Sequence, residues 1–240
     1  FPVFELLTKT ANPALYNAHQ TPIVVTADPE SCSFQFNPTG TAKFTSSCDI
    51  AKALLAKSSA NYSTVEGAAG AVAEVKIGET LIPSYEAAAL SGDEAKAAKA
   101  AFEKSVNDAL LAAGYPLVAA KNETVAKASN FFDIFTGQKL LIIVILTYLI
   151  LLVTMVYGPM AAMLVELFPT RIRYSGLSLP YHIGNGWFGG LLPATAFAIS
   201  AQTGNIYAGL WYAIVVALMT VVIGTLFVPG GTHKKDIFSE

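Results

Sequence analysis

Three long apolar segments follow one another in the second half of the chain, at residues 140–163, 174–199 and 206–228. His182 is the only Asp, Glu, Lys, Arg or His among them. About 20 apolar residues in a helix cross the hydrocarbon core of a bilayer. One such helix can also be the core of a soluble protein, but three in succession are typical of membrane proteins. The pattern therefore predicts an α-helical membrane protein with three transmembrane helices.

Residues 9–136 have the opposite character, because charged residues are scattered through them and no apolar run is long enough to span a bilayer. Alternating apolar positions and turn residues predict short strands at Ile23–Thr26, Ser33–Phe36 and Glu74–Ile77. Helices are predicted at Cys48–Lys57 and, after the capping-box residues Ser91 and Glu94, at about 93–113. We therefore expect a small α+β domain inserted before the first apolar helix, called the polar domain below.

Basic residues flank the apolar segments unevenly. The turn at 166–173 carries two arginines and the tail after Pro229 carries three basic residues, whereas the link at 200–205 carries none. Basic loops stay in the cytoplasm, while long domains cross the membrane regardless of their charge. The turn and the C-terminal tail are thus predicted in the cytoplasm. The polar domain is predicted outside a multi-pass protein of the plasma (inner) membrane.

Cys32 and Cys48 are the only cysteines of the chain. They form either a disulfide, which needs an oxidising compartment, or two buried free thiols. The predicted location outside the membrane favours the disulfide.

Other features of the sequence exclude several classes of function. The net charge of -2 gives no reason to expect a nucleic-acid partner. Residue spacings predict no metal site, no catalytic motif and no cofactor-binding loop. Residues 1–8 are mostly apolar and lack the basic start of a signal peptide. We expect them to be the end of a transmembrane helix that starts upstream, and the chain to be a fragment.

In the turn after the first apolar segment, an acid, a proline and two arginines stand at fixed spacing after a Gly-Pro pair. Tyr157-Gly158-Pro159 and the run Glu166-Leu167-Phe168-Pro169-Thr170-Arg171-Ile172-Arg173-Tyr174-Ser175-Gly176 closely resemble the tenth helix and following cytoplasmic loop of major facilitator superfamily transporters. The continuation Leu179-Pro180-Tyr181-His182-Ile183-Gly184-Asn185 resembles the metabolite:proton symporter branch, and sugar porters share the Glu-x-x-Pro-x-Arg-x-Arg core. The resemblance covers about residues 140–238. The sequence differs from these families at residues 228–232, where they usually have Pro-Glu-Thr. It also differs from them in carrying the polar domain.

The resemblance implies the major facilitator fold, of which this chain would hold the last three helices (137–240 with the tail). It implies secondary active, proton-coupled transport of a small organic acid or zwitterion by alternating access, without a cofactor. The partners would be the lipid bilayer, the substrate, the proton and the missing N-terminal half. Two alternatives stay open: a sugar-porter-type transporter, and a membrane-anchored extracytoplasmic binding or sensor module.

The resemblance also implies a charge network at the cytoplasmic gate, formed by Glu166, Arg171 and Arg173. An acid at a helix C-terminus needs a nearby cation, and arginine can bind a carboxylate through two hydrogen bonds. The alternative is that the arginines only face lipid phosphates. Pro169 ends the helix in either case.

Gly158 and Pro159 lie inside the first apolar segment and form either a hinge or a static kink. Further candidates for the substrate path are Tyr157, Tyr181, His182, Asn185 and Trp187. Because ionisable residues within spans are functional candidates, His182 is either a proton carrier or a group that reaches interfacial water. The glycines beside Asn185 are typical of close helix packing.

Overall fold

The computed structural model of the protein describes residues 2–117 and 126–227. Contacts divide the chain into two compact units. The first comprises residues 1–142 with 194–209, and the second comprises residues 143–193 with 210–240. The polar domain therefore shares its unit with a short stretch from the apolar half of the chain.

A four-stranded mixed sheet forms the centre of the polar domain, in the order β2-β1-β3-β4. Two short helices precede it, α1 (Pro2–Ala11) and α2 (Pro13–Ala18). The strands are β1 (Ile23–Ala27), β2 (Ser63–Glu66), β3 (Glu74–Ile77) and β4 (Thr80–Pro83). Strand β1 pairs in parallel with β2 and antiparallel with β3, which pairs antiparallel with β4. Every second residue of β1 is buried, so one face of this strand lies in the core. Strands β1 and β3 confirm two predicted strands.

Two helices complete this core, α3 (Ser47–Lys57) against β1 and β3, and α4 (Gly92–Ala112) against β4. Phe102, Val106 and Leu110 are buried because residues four apart lie on one face of a helix. The Ser91 N–H donates to Glu94 Oε2 at 3.1 Å, as expected in a capping box. Both predicted helices are confirmed.

The segment Ser33–Phe36 is not a strand, so this prediction was wrong. The Ser33 N–H and hydroxyl donate to the Asp49 carboxylate at 2.8 and 2.6 Å. The Gln35 amide donates to Asp49 O at 2.7 Å. Side-chain bonds to Asp49 in α3 thus replace the strand pairing that the alternating pattern predicts.

Cys32 and Cys48 are bonded as a disulfide in the structure, with their Cα atoms 5.2 Å apart. Cys48 is fully buried in α3. The bond ties the segment before Ser33 to the core of the polar domain. A cross-link over this sequence separation of 16 residues stabilises the fold by about 3 kcal/mol, since it restricts the unfolded chain.

The apolar half forms α5 (Gly137–Leu167), α6 (Arg173–Ile183), α7 (Leu192–Thr203) and α8 (Leu210–Phe227). Within residues 2–117 and 126–227, α5 and α8 are the helices long and apolar enough to cross a membrane. The predicted second span, 174–199, is helical but interrupted by a π-helical segment, Gly184–Gly189, between α6 and α7. Glycine, the weakest helix former after proline, is frequent there. That the chain forms three transmembrane helices therefore stays a prediction. The C-terminal tail, which was predicted in the cytoplasm, lies outside the described residues.

A 3₁₀ turn, Phe132–Phe135, leads into α5 and carries exposed rings. Phe131, Phe132 and Phe135 are 68%, 80% and 62% exposed. Asp133 holds the turn by accepting two bonds from Ser129 and pairing with Lys139. The hydrogen bond from Lys139, followed by those from Ser129, lowers the pKa of Asp133 to about 2. Because the polar groups of the turn bond to one another, its rings are suited to the membrane–water interface.

Candidate functional site

The turn between α5 and α6 is organised around the backbone carbonyl of Phe168. Helix α5 ends one residue earlier, and Pro169 disfavours its continuation because proline lacks an N–H and clashes with the preceding turn. The last carbonyls of a helix have no partner within the helix. The Arg173 Nε–H donates to Phe168 O at 3.2 Å. Arg173 therefore caps α5 and places a positive charge at the negative end of its dipole.

Gly176 packs directly against the ring of Phe168. A Cβ at position 176 would lie 2.5 Å from Phe168 Cδ1 and 2.8 Å from Cε1. Carbon atoms in contact are normally about 3.5–4.0 Å apart. Any side chain at position 176 would therefore push the ring away, which explains why glycine occupies this position of the motif.

The predicted charge network does not appear as ion pairs within this turn. Glu166 and Arg171 are exposed, and Arg173 is half-buried. No ion pair of Glu166 with either arginine is present in the described part of the chain. The network stays a prediction, and its partners would have to come together in another state or with another part of the protein.

A cavity of about 410 Å³ opens beside Arg173. Its lining is mostly apolar with a few polar groups, as in sites that take small molecules. The lining residues are Val165, Arg173, Tyr174, Leu177, Ser178 and Tyr181. The structure thus brings two predicted residues, Arg173 and Tyr181, to one cavity.

His182 faces the preceding turn of its own helix. Its Nδ1 lies 2.7 Å from Ser178 O, so Nδ1–H donates to this carbonyl. The Tyr181 ring lies 6.0 Å from the imidazole, centroid to centroid. The bond to Ser178 O requires a proton on Nδ1 and orients the ring along its own helix.

Asn185 and Trp187 belong to the π-helical segment. The Gly190 N–H donates to Asn185 O at 2.8 Å, five residues back, which is the π-helical pattern. A Cβ at position 190 would overlap the carbonyl oxygen of Gly186. Gly190 is therefore needed for the local backbone, whereas a Cβ built at Gly186 meets no atom of the described residues within 4 Å. The side chains of Asn185 and Trp187 are exposed and do not line the cavity.

Tyr157, Gly158 and Pro159 lie within α5, which continues past the proline. Tyr157 is 56% exposed and is not part of the cavity lining. No atom lies within 4 Å of a Cβ built at Gly158. The open space beside Gly158 is compatible with both a hinge and a static kink, so both readings stay open.

Sequence reasoning missed Tyr174, Leu177 and Ser178 as neighbours of Arg173. Together with Tyr181 they follow the spacing i, i+3, i+4, i+7, which places side chains on one face of a helix. This signal was available in the sequence. The bond from Arg173 to the Phe168 carbonyl could not be predicted in this way. Every residue has a backbone carbonyl, so the residue type does not show which carbonyl accepts a bond.

The described residues contain no group of three or more His, Cys, Asp or Glu side chains that could hold a metal ion. What this part of the chain offers is a mostly apolar cavity beside the arginine that caps α5.

Comparison with known proteins adds the family. The sequence profile described as sugar (and other) transporter matches residues 111–234, which is more than half of the 240-residue chain. Two proteins of Haemophilus influenzae, provisionally named metabolite transport proteins, are 44% identical over 66 residues and 49% identical over 59 residues. These alignments cover 28% and 25% of this chain, and 15% and 12% of the relatives.

A third relative is the inner membrane metabolite transport protein YhjE of Escherichia coli. It is 30% identical over 88 residues, which are 37% of this chain and 20% of that protein. The chain thus matches a fifth or less of the length of these curated relatives, and no solved structure matches it. The matched region contains α5 to α8 and the Glu166–Gly176 turn. The chain belongs to the sugar (and other) transporter family of the major facilitator superfamily, a family of membrane transporters and not of enzymes.

Proposed function

We propose that the whole protein is a secondary active transporter that moves a small organic acid or zwitterion by alternating access, coupled to protons. The family match over α5 to α8 is the observation that carries this proposal. Three relatives are named metabolite transport proteins, which supports a metabolite as substrate. His182 is a candidate proton carrier within this chain, because it is the ionisable side chain inside the predicted spans.

An uptake assay on the full-length protein in cells tests this proposal. The probes are radiolabelled succinate, glycine betaine and glucose, which represent an organic acid, a zwitterion and a sugar. We expect accumulation of succinate or glycine betaine, and loss of this accumulation when a protonophore is added, since the proton gradient is the energy source. Glucose uptake that a protonophore does not change would instead favour a sugar uniporter.

The charge network of Glu166, Arg171 and Arg173 belongs to the same proposal, as a latch of the cytoplasmic gate. Arg173 already lies at the end of α5, where its Nε is bonded to Phe168 O. Its two terminal nitrogens stay available for a carboxylate. The proposed latch would close when Glu166 or an acid of the missing half reaches these nitrogens.

The proposal also includes the topology, with residues 9–136 outside the plasma membrane and the C-terminus in the cytoplasm. The uneven distribution of basic residues and the disulfide between Cys32 and Cys48 support this arrangement. Neither cysteine of this chain is free to react, so a cysteine introduced into a variant without other cysteines is a clean probe.

A membrane-impermeant maleimide should label Lys96→Cys in intact cells, since the Lys96 side chain is 80% exposed on α4. Ser239→Cys should be labelled only after the cells are opened. Labelling of Ser239→Cys in intact cells, with none at Lys96→Cys, would reverse the topology.

A further inference from the structure

A contact between distant parts of the sequence joins the polar domain to the C-terminal end of α7. The Tyr62 N–H donates to Gly204 O at 2.8 Å, and the Ile206 N–H donates to Asn61 Oδ1 at 3.1 Å. The Tyr62 hydroxyl donates to Ala201 O, and Tyr62 is only 7% exposed. We call this set of bonds the Tyr62 contact.

The Tyr62 contact completes the cap of α7. The Gly204 N–H donates to Ser200 O at 2.8 Å, and Gly204 has a φ of +72°, which together form the αL type of helix end. This cap leaves the carbonyl of Ala201 without a partner from α7, and the Tyr62 hydroxyl bonds to it. The polar domain thus provides a hydrogen bond that the helix end lacks.

Gly204 is the residue that makes so close an approach possible. A Cβ at this position would overlap the carbonyl oxygen of Tyr62 and lie 2.9 Å from both its carbonyl carbon and its Cδ2. Two of these atoms belong to the backbone and cannot turn aside. Ala198 and Ala201 are buried in the same unit, so small side chains continue along α7 from the contact.

The loop that carries Asn61 and Tyr62 is held in place by the core of the polar domain. The His19 Nε2–H donates to Ser59 O at 2.9 Å, and Ala60 N–H donates to Leu55 O at 3.0 Å. The fully buried Tyr115 belongs to the same core. The binding surface is therefore formed in advance, which lowers the entropic cost of docking.

Two further bonds tie neighbouring segments to the same unit. The Tyr207 hydroxyl donates to Thr8 Oγ1 at 2.8 Å, and Gln138 Nε2 donates to Thr10 O at 2.7 Å. The end of α1, the start of α5 and the α7–α8 turn (204–209) are thus all bonded within one compact unit.

We infer that the polar domain regulates transport by docking onto the α7–α8 turn through Asn61 and Tyr62. While the Tyr62 contact holds, the end of α7 and the domain move as one body. Any step of the transport cycle that bends this end must first break the contact. This inference rests on the proposed transport function, but the docking itself can be tested without transport.

Amide hydrogen exchange of the full-length protein in lipid nanodiscs tests the docking. The Gly204→Ala variant should separate the two surfaces, because the added methyl group overlaps the Tyr62 backbone. The Tyr62 and Ile206 amides should then exchange at least about tenfold faster, since exchange follows local opening. Gly70→Ala is the matched control, because Gly70 also has a φ of +72° but no atom within 4 Å of its Cβ position.

Tyr62→Phe is a milder variant for the case in which Gly204→Ala does not fold. It removes only the bond to Ala201 O and should speed exchange about fivefold, the effect of one hydrogen bond of about 1 kcal/mol. Unchanged exchange of both amides in the two contact variants would overturn the docking.

Uptake of succinate, glycine betaine and glucose by the same variants tests the regulation. We expect severalfold faster uptake in Gly204→Ala, because the step that bends the end of α7 no longer has to break the contact, and wild-type uptake in Gly70→Ala. Faster exchange together with wild-type uptake in Gly204→Ala would overturn the regulatory role. If the wild type takes up none of the three probes, the proposed function fails, while the exchange data still decide the docking.

Discussion

Replacing Gly176 by alanine should destabilise the protein, and the same replacement should stabilise it once the Phe168 ring is removed. In the wild type the new methyl group meets the ring at 2.5 Å. Overpacking of this kind costs about 1–3 kcal/mol. In the Phe168→Ala background this cost disappears, and the gain of about 1 kcal/mol from replacing a helical glycine is left. Thermal unfolding of the full-length protein in detergent measures both effects.

The control for helix propensity is Gly224→Ala in α8, where no atom lies within 4 Å of the Cβ position. It should raise the unfolding temperature in both backgrounds by the same amount. The interpretation of Gly176 fails if Gly176→Ala raises the unfolding temperature of the wild type as much as Gly224→Ala does. In that case the Phe168 ring would not be confined by the turn.

Glu166→Gln should slow transport by the full-length protein if the latch forms. The substitution keeps the shape of the side chain and removes its charge, so it isolates the electrostatic contribution. For an ion pair at the membrane edge we expect a shift of about 1 kcal/mol or slightly more, roughly tenfold in the ratio of open to closed gate. Arg171→Lys should be only partly tolerated, because an ammonium group cannot form the two-bond contact of a guanidinium.

Uptake at equal surface expression is the measurement, with whichever of succinate, glycine betaine or glucose the wild type accumulates. Arg173→Lys is an informative companion, because it also removes the Nε bond to Phe168 O and should be more damaging than Arg171→Lys. Wild-type rates in both Glu166→Gln and Arg171→Lys would leave arginines that only face lipid phosphates as the better explanation.

The elements that the sequence predicts correctly are those whose signal is local. The capping box at Ser91 and the apolar face at Phe102, Val106 and Leu110 together determine α4. Helices α5 and α8 can be predicted from composition alone, because a helix in lipid is apolar on all sides. Strand β2 was missed because all four of its residues are exposed and give no alternation.

The errors arise where a distant group competes with a local pattern. The apolar alternation at Ser33–Phe36 predicts a strand, but the Asp49 carboxylate binds the Ser33 backbone instead. The Tyr62 contact joins residues about 140 positions apart and involves mostly backbone atoms, so residue types do not reveal it. The charged residues of the turn could be named from the motif, but their partners depend on geometry, which residue types do not reveal.

The π-helical segment changes how the residues around it should be assigned to helix faces. A π-helical turn holds one residue more than an α-helical turn, and one residue corresponds to a rotation of about 100°. The segment Gly184–Gly189 therefore sets the residues after Gly190 out of phase with those of α6. A helical wheel drawn through 173–193 as one α-helix would place residues on a common face that in fact point in different directions. In an uninterrupted α-helix the Gly190 N–H would donate to Gly186 O instead of Asn185 O. The acceptor of this amide therefore shows whether the helix is interrupted at this point.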